Sequence, residues 1–173
     1  MIIANVGAGS LLACYRVIAP RYATTPRSGM GAARKGGRFN RPGQEALYLA
    51  LDEATALAEY KQDNPWLPPG TICTFFLNNM NLADLSAGYE AAHWPPLWAD
   101  FAIDWRSEWF GSHVEPPTWY MSDDVVAAGL DGIIFPSQAH PGGRNLVVYR
   151  SSERPASDLQ VYDPAGVLQT ITL

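Results

Sequence analysis

Charge is divided unequally along this chain, and the division marks a long irregular segment near the N-terminus. Every acidic residue lies after position 44, whereas seven of the twelve basic residues lie between Arg16 and Arg41. The first 44 residues therefore carry a net charge of +7 and the remainder carries −12. Residues 20–44 are rich in Gly, Pro, Ser and Arg, which predicts a loop, and a loop this long in a compact domain is usually functional.

The centre of this loop has the composition of an anion site. It reads Lys35-Gly36-Gly37-Arg38-Phe39-Asn40-Arg41-Pro42-Gly43. Paired glycines allow the backbone to approach a ligand closely, and arginines on both sides supply fork-shaped donors for phosphate. In a chain with a net charge of −5, we interpret this segment as a pocket for an anion.

Composition limits the class of protein. The 173 residues are 47% hydrophobic and 17% charged, which predicts one globular domain over residues 1–173. No apolar run approaches the ~20 residues of a membrane span, and no basic residue precedes the mildly apolar residues 1–14, so we expect neither a span nor a signal peptide. Cys14 and Cys73 lack CxxC spacing and favour thiols in a reducing cytoplasm. Net acidity disfavours broad nucleic-acid affinity.

The apolar pattern predicts an α+β fold with a mixed sheet and flanking helices. We expect strands at residues 11–18, 46–51, 71–77, 132–135 and 146–150, and helices at 53–62 and 118–128. Asp52 is a suitable N-cap for the first of these helices. A further helix is predicted from residue 95 to 111, where core-packing side chains recur at three- and four-residue spacing: Leu97, Trp98, Phe101, Ala102, Trp105 and Trp109. A C-terminal hairpin is predicted at about 158–173, from residues 159–162 and 167–172.

Common catalytic motifs are absent from the sequence. His93, His113 and His140 are scattered without metal-ligand spacing, so we expect no metal site. Ser137 follows a predicted strand without the glycines of a nucleophile elbow. The chain has neither GxGxxG nor GxxxxGK[ST], which disfavours Rossmann and P-loop nucleotide sites.

Five polar residues occur in a suggestive order. They are Arg16 in a strand, Arg38 in the glycine loop, Tyr48 in the next strand, Glu59 in the following helix and Ser137 after a late strand. Each one alone also fits a structural role, such as a solvated strand edge, a turn, core packing or a solvated helix face. Their order along the chain is more informative than any one of them.

In this order the chain resembles the RES domain, the toxin half of bacterial Xre–RES toxin–antitoxin pairs. The resemblance extends over about residues 15–149, and the core motif region over about 11–150. It is strongest at Gly36-Gly37-Arg38-Phe39-Asn40, Tyr48-Leu49-Ala50, Leu57-Ala58-Glu59 and Gly132-Ile133-Ile134-Phe135-Pro136-Ser137. Phe39 replaces the tryptophan that usually follows the Gly-Gly-Arg motif. The Arg, Glu and Ser of the family name correspond to Arg16 or Arg38, Glu59 and Ser137.

The resemblance implies a fold like that of mono-ADP-ribosyltransferase toxins and the consumption of NAD⁺, without a metal. Arg16 and Arg38 would bind the pyrophosphate, helped by N–H groups near Gly36 and Gly37. Tyr48 would flank the nicotinamide. Glu59 would stabilise the positive charge that develops on the ribose when the nicotinamide leaves. Ser137 would hold the nicotinamide amide or a ribose oxygen.

Three functions stay open at this point. The first is a cytoplasmic toxin that cleaves NAD⁺ and is inhibited by an Xre-family antitoxin covering the pocket. The second is a mono-ADP-ribosyltransferase that modifies a specific host protein. The third is a non-enzymatic module that binds anions or nucleic acid through the basic loop. The sequence does not choose the acceptor of ADP-ribose among water, phosphate and protein.

Overall fold

The computed structural model describes residues 1–7 and 9–170. Its centre is one sheet with the strand order β1-β5-β6-β7-β3-β2-β4-β8. The strands are β1 Ile3–Val6, β2 Leu12–Ile18, β3 Ala46–Ala50, β4 Thr71–Leu77, β5 Met80–Asp84, β6 Gly132–Pro136, β7 Arg144–Tyr149 and β8 Leu159–Val161. Neighbouring strands pair antiparallel except β5 and β6, which pair in parallel.

In the described part of the chain, three α-helices flank the sheet: α1 Met30–Lys35, α2 Glu53–Lys61 and α3 Pro117–Ala127. The mixed sheet with its few helices confirms the predicted α+β class. Asp52 caps α2 as predicted, because its carboxylate accepts a hydrogen bond from the Thr55 N–H at 2.7 Å. Within the described residues, no helix has the length and apolar character needed to cross a bilayer.

The sheet buries both of its faces, which explains why its strands are almost continuously apolar. In β7, Leu146 and Val148 pack into one core, and Val147 and Tyr149 pack into the other. The first core also contains residues from both outer strands of the sheet, which therefore curls around it. The second core lies under α3 and collects the buried tryptophans Trp94 and Trp98.

The helix predicted from residue 95 to 111 is wrong. The segment forms a 3-10 helix at Pro96–Asp100 and a π-helix at Ser107–Ser112. The carbonyls of Phe101 and Ile103 accept from Arg38, and that of Ala102 accepts from Gln138, so side chains replace the helical N–H donors. The predicted packing role of the stripe is confirmed for Trp98, which is fully buried, and for Trp105.

Two other predictions are corrected. The loop over residues 20–44 contains α1 and a 3-10 turn at Pro20–Tyr22. The C-terminal hairpin is wrong, because β8 pairs with β4 and Val167–Thr170 is a 3-10 turn. Asp163 accepts from the N–H groups of Val167 and Leu168 and so begins this turn. The last part of the predicted hairpin, residues 171–173, lies outside the described residues. Strands β1 and β5 had no counterpart in the sequence prediction.

Candidate functional site

A cavity of about 940 Å³ opens beside the glycine loop, within the size range of small-molecule sites. Its walls come from β2, the end of α1, β3, α2, the segment around the π-helix and the turn after β6. It brings together six of the seven residues that the sequence singled out: Arg16, Gly36, Gly37, Arg38, Tyr48 and Glu59. Ser137, the seventh, lies behind this wall.

Glu59 is the acidic residue that the sequence analysis predicted for the site, and hydrogen bonds hold its carboxylate by one oxygen. Its Oε1 atom accepts from Ser137 Oγ at 2.8 Å and from Asn145 Nδ2 at 2.5 Å. Its Oε2 atom has no hydrogen-bond partner among the residues that the structure describes. The side chain is half-buried on α2, whose start is fixed by the Asp52 cap. One oxygen is therefore anchored and the other is free to accept from a ligand.

Ser137 reaches Glu59 rather than the cavity. It is 9% exposed at the end of β6, and its hydroxyl accepts from the His140 N–H at 3.0 Å while donating to Glu59. The hydroxyl hydrogen is therefore already committed to the carboxylate. In this geometry Ser137 orients Glu59. The predicted direct contact with nicotinamide or ribose stays a prediction.

Tyr48 supports the glycine loop through two hydrogen bonds of its hydroxyl group. Its phenol oxygen accepts from the Phe39 N–H at 2.9 Å and donates to Asn40 Oδ1 at 2.8 Å. Burial raises the pKa of the phenol, so Tyr48 stays a neutral donor. The ring itself lines the cavity, where a flat ligand ring has a surface to pack against.

Gly36 and Gly37 allow the backbone to come close to a ligand, but their N–H groups are already hydrogen-bonded. The Gly36 N–H donates to Ala32 O at 2.8 Å, and the Gly37 N–H donates to Asn40 O at 3.0 Å. Gly36 ends α1 with φ of +78°, a conformation that favours glycine. Trp119 Nε1 donates to Gly37 O at 2.8 Å and ties the loop to α3. Both amides are thus occupied by backbone carbonyls, and the predicted contribution of N–H groups near these glycines to anion binding stays a prediction.

Both predicted arginines hold backbone carbonyls. Arg16 Nη1 donates to Pro26 O at 3.0 Å and to Ser28 O at 2.9 Å. Arg38 Nη1 donates to Phe101 O at 3.2 Å and to Ile103 O at 2.9 Å, and its Nη2 donates to Gln138 Oε1. Desolvation by burial lowers the pKa of both guanidinium groups. These arginines therefore brace the cavity walls as well as supplying positive charge.

Several lining residues were missed by the sequence reasoning. They are Tyr15, Arg106, Gln138 and Asn145, whereas Lys35 belongs to the loop segment that the sequence identified as an anion pocket. Lys35 and Arg106 are exposed, and the Arg106 guanidinium lies 4.8 Å from the centroid of the Trp105 ring. A signal was present for Arg106, because it is one of only five bases after residue 44. Asn145 lies directly before the strand predicted at residues 146–150.

The cavity favours anionic ligands. Four cationic side chains line it, from Arg16, Lys35, Arg38 and Arg106, whereas Glu59 and Asp63 are its two anionic ones. The described part of the chain contains no group of three or more His, Cys, Asp and Glu side chains arranged for a metal ion. The charged contacts available to a ligand thus come mainly from guanidinium and ammonium groups.

Comparisons with known proteins identify the family of this chain and proteins with a similar sequence or fold. The sequence model of the RES domain matches residues 13–170. A relative called Toxin Res, from Yersinia enterocolitica serotype O:8 / biotype 1B, is 28% identical over 137 residues, covering 78% of this chain and 81% of the relative. The fold is similar to one in the M. tuberculosis MbcT–MbcA toxin–antitoxin complex, with a TM-score of 0.63 and 20% identity, covering 92% of this chain and 84% of the other.

Proposed function

Because this chain belongs to the RES domain family, we propose that it is the toxin of a toxin–antitoxin pair and that it cleaves NAD⁺ at the nicotinamide–ribose bond. The name of the Yersinia relative supports the toxin role. The main support for the reaction is one observation: a glutamate anchored through a single oxygen faces a cavity rich in cationic groups. NAD⁺ combines the matching features, an anionic pyrophosphate and a ribose that becomes cationic during cleavage.

The proposed reaction begins with departure of the pyridine base. The bond between ribose C1′ and the nicotinamide nitrogen breaks, its electron pair goes to the nitrogen, and the ribose takes an oxocarbenium-like charge. Glu59 accepts a hydrogen bond from a ribose hydroxyl through Oε2, and its negative charge stabilises the cation. Water or phosphate then attacks C1′ and loses its proton, which yields ADP-ribose or its phosphorylated form.

The pyrophosphate is assigned to cationic side chains that line the cavity. Arg106 and Lys35 are exposed there and make no ion pair with the described residues, so their donors are available to phosphate oxygens. Arg38 has a second role, since its carbonyl contacts fix the wall from which Arg106 projects. Charge-assisted bonds to phosphate are stronger than those to neutral carbonyls, which allows Arg38 to turn toward the ligand.

Product analysis tests this proposal. The purified protein is incubated with NAD⁺, with and without inorganic phosphate, and the products are separated by chromatography and weighed by mass spectrometry. Free nicotinamide with ADP-ribose indicates hydrolysis, and a phosphorylated ADP-ribose that requires phosphate indicates phosphorolysis. Undiminished NAD⁺ at micromolar enzyme would contradict the proposed cleavage.

The acceptor and the partner have their own tests. Incubation of a cell lysate with the protein and NAD⁺ labelled in its adenylate part would give a labelled protein band if the enzyme is a mono-ADP-ribosyltransferase. We also propose that an Xre-family antitoxin, made in the same cytoplasm, covers this cavity. Co-expression should restore growth and NAD⁺ levels. Growth arrest with unchanged NAD⁺ would separate toxicity from NAD⁺ cleavage.

A further inference from the structure

Asn145 occupies a strand position at which an apolar side chain is expected. It pairs with Ala50 of β3 on one side and with Phe135 of β6 on the other, and it is 7% exposed. The next four residues of β7 are buried and apolar or aromatic. An amide in this setting loses its hydration, so its retention calls for a specific partner.

The side-chain amide of Asn145 has a hydrogen-bond partner for its nitrogen but none for its oxygen among the described residues. Asn145 Nδ2 donates to Glu59 Oε1 at 2.5 Å, whereas Asn145 Oδ1 is buried and has no hydrogen-bond partner among the described residues. The opposite amide orientation would direct Oδ1 at an ionised carboxylate, which is repulsive. The carboxylate thus dictates the orientation, and the buried oxygen is left without a donor as a consequence.

The two donors on Glu59 converge on one atom. Ser137 Oγ approaches Oε1 from the end of β6, and Asn145 Nδ2 approaches it from β7. Oε2 receives no hydrogen bond from the described residues and belongs to a side chain that lines the cavity. The charge of Arg38 acts on this carboxylate, but among the described residues Glu59 makes no ion-pair contact with it. Rotation of Glu59 is therefore restrained by Ser137 and Asn145 rather than by an arginine.

We infer that Asn145 is a positioning residue, which holds Glu59 by Oε1 so that Oε2 alone faces the substrate. This inference rests on the proposed NAD⁺ cleavage. It assigns to Asn145 a role in the chemical step and none in the affinity for NAD⁺. A buried amide with one unpaired atom is costly to folding, and it is placed where it constrains the reactive carboxylate.

Two variants test this role. Asn145→Leu keeps the side-chain volume and removes the donor, and we expect kcat to fall about 10- to 100-fold, as for other groups that orient a functional ligand. KM for NAD⁺ should change less than about twofold, because the substrate-binding groups are unaltered. A rise in KM with unchanged kcat would mean that Asn145 contacts the substrate and would overturn the inference, as would unchanged kinetics.

Asn145→Asp tests the role through the pH dependence of kcat, which a purely structural role of Asn145 would not change. It places a second carboxylate within hydrogen-bond distance of Glu59, and two such groups share a proton, so one of them titrates at a raised pKa. The acid limb of the kcat profile should move up by roughly one pH unit or more. Asn5→Asp, exposed on β1 and away from the cavity, is the matched control and should leave the profile in place. A superimposable profile for Asn145→Asp would overturn the inference.

Failure of the proposed function is distinguishable from failure of this inference. If the wild-type protein does not consume NAD⁺, the proposed function fails, and the kinetic comparisons of the Asn145 variants cannot be made. The contact is then tested by ¹³C NMR of side-chain carboxyl groups, in which Asn145→Asp should show a coupled two-step titration at Glu59. Independent single-step titration of the two carboxyl groups would overturn the positioning contact. Melting temperatures of both variants verify that each is folded.

Discussion

The Ser137 hydroxyl donates to Glu59 Oε1 over 2.8 Å, and this contact places the serine behind the carboxylate. We expect Ser137→Ala to lower kcat for NAD⁺ cleavage about 10- to 100-fold while KM stays near the wild-type value, because an orienting donor is lost without a change in substrate contacts. Steady-state kinetics of nicotinamide release measure both constants. An increase in KM alone would show that Ser137 binds the substrate directly.

The charge of Glu59 is the next quantity to test. Gln at this position can still accept through its amide oxygen from Ser137 and Asn145, but it cannot stabilise a cationic ribose. We expect Glu59→Gln to fold normally and to lose turnover on the order of 10²–10³-fold. Glu90→Gln is the matched control, since Glu90 is largely exposed and lies outside the cavity. Near wild-type turnover in Glu59→Gln would remove this residue from the mechanism.

Arg38 and Arg106 should differ in what their loss disturbs. Arg38→Ala removes bonds to Phe101 O and Ile103 O, so both the melting temperature and the affinity for NAD⁺ should fall, the latter by about tenfold or more. Arg106→Ala should raise KM without a change in melting temperature, because the guanidinium is exposed and, among the described residues, has a cation–π contact with the Trp105 ring but no hydrogen bond or ion pair. Kinetics and thermal unfolding of both variants measure this. Unchanged KM and melting temperature in Arg38→Ala would indicate that the carbonyl contacts contribute nothing.

The sequence predicted what local pattern controls. The bounds of strand β4 and the Asp52 cap are both predicted from the sequence, because short apolar runs and capping side chains act within a few residues. The interrupted segment at 96–112 was not predicted. Its stripe of aromatic residues has helical spacing, but Arg38, more than sixty positions earlier, captures the carbonyls of Phe101 and Ile103. Contacts of this kind depend on the fold and leave no local pattern.

The candidate site shows the same division. Residue order and the family resemblance identified Arg16, Arg38, Tyr48 and Glu59, which the cavity brings together. The sequence does not predict the partners of these groups. Asn145 lies one residue before the strand predicted at 146–150, and the Gly37 N–H, in the segment expected to supply anion donors, is occupied by Asn40 O. Hydrogen-bond saturation is a property of the packed structure and is not visible in the sequence.

The Asp52 cap predicts a specific dependence of stability on pH. Hydrogen bonds from the Thr55 hydroxyl and N–H lower the pKa of Asp52. The unfolded chain then binds this proton more readily, so the stabilisation is present above the ordinary pKa of about 4 and is lost as pH falls through the lowered value. Asp52→Ala should cost about 1 kcal/mol at pH 7. Asp52→Asn should cost less there and should show a shallower loss of stability toward acid in urea unfolding. An identical acid dependence in Asp52→Asn and wild type would contradict this account.

Gly37 should tolerate no side chain, because the loop is closed against Tyr48. A Cβ atom at this position would lie 2.5 Å from Asn40 Oδ1 and 2.6 Å from the Tyr48 hydroxyl oxygen. These two oxygen atoms are hydrogen-bonded to each other. We expect Gly37→Ala to lower the free energy of unfolding by about 1–3 kcal/mol and to reduce kcat/KM for NAD⁺.

Gly31→Ala is the matched control for stability. A Cβ at Gly31 meets nothing within 4 Å, and the residue lies inside α1, where alanine is the better helix former by up to about 1 kcal/mol. Chemical unfolding of the two variants should therefore give changes of opposite sign. Equal stability of Gly37→Ala and wild type would mean that the loop can move away from Tyr48, and the assignment of Tyr48 as its structural support would then fail.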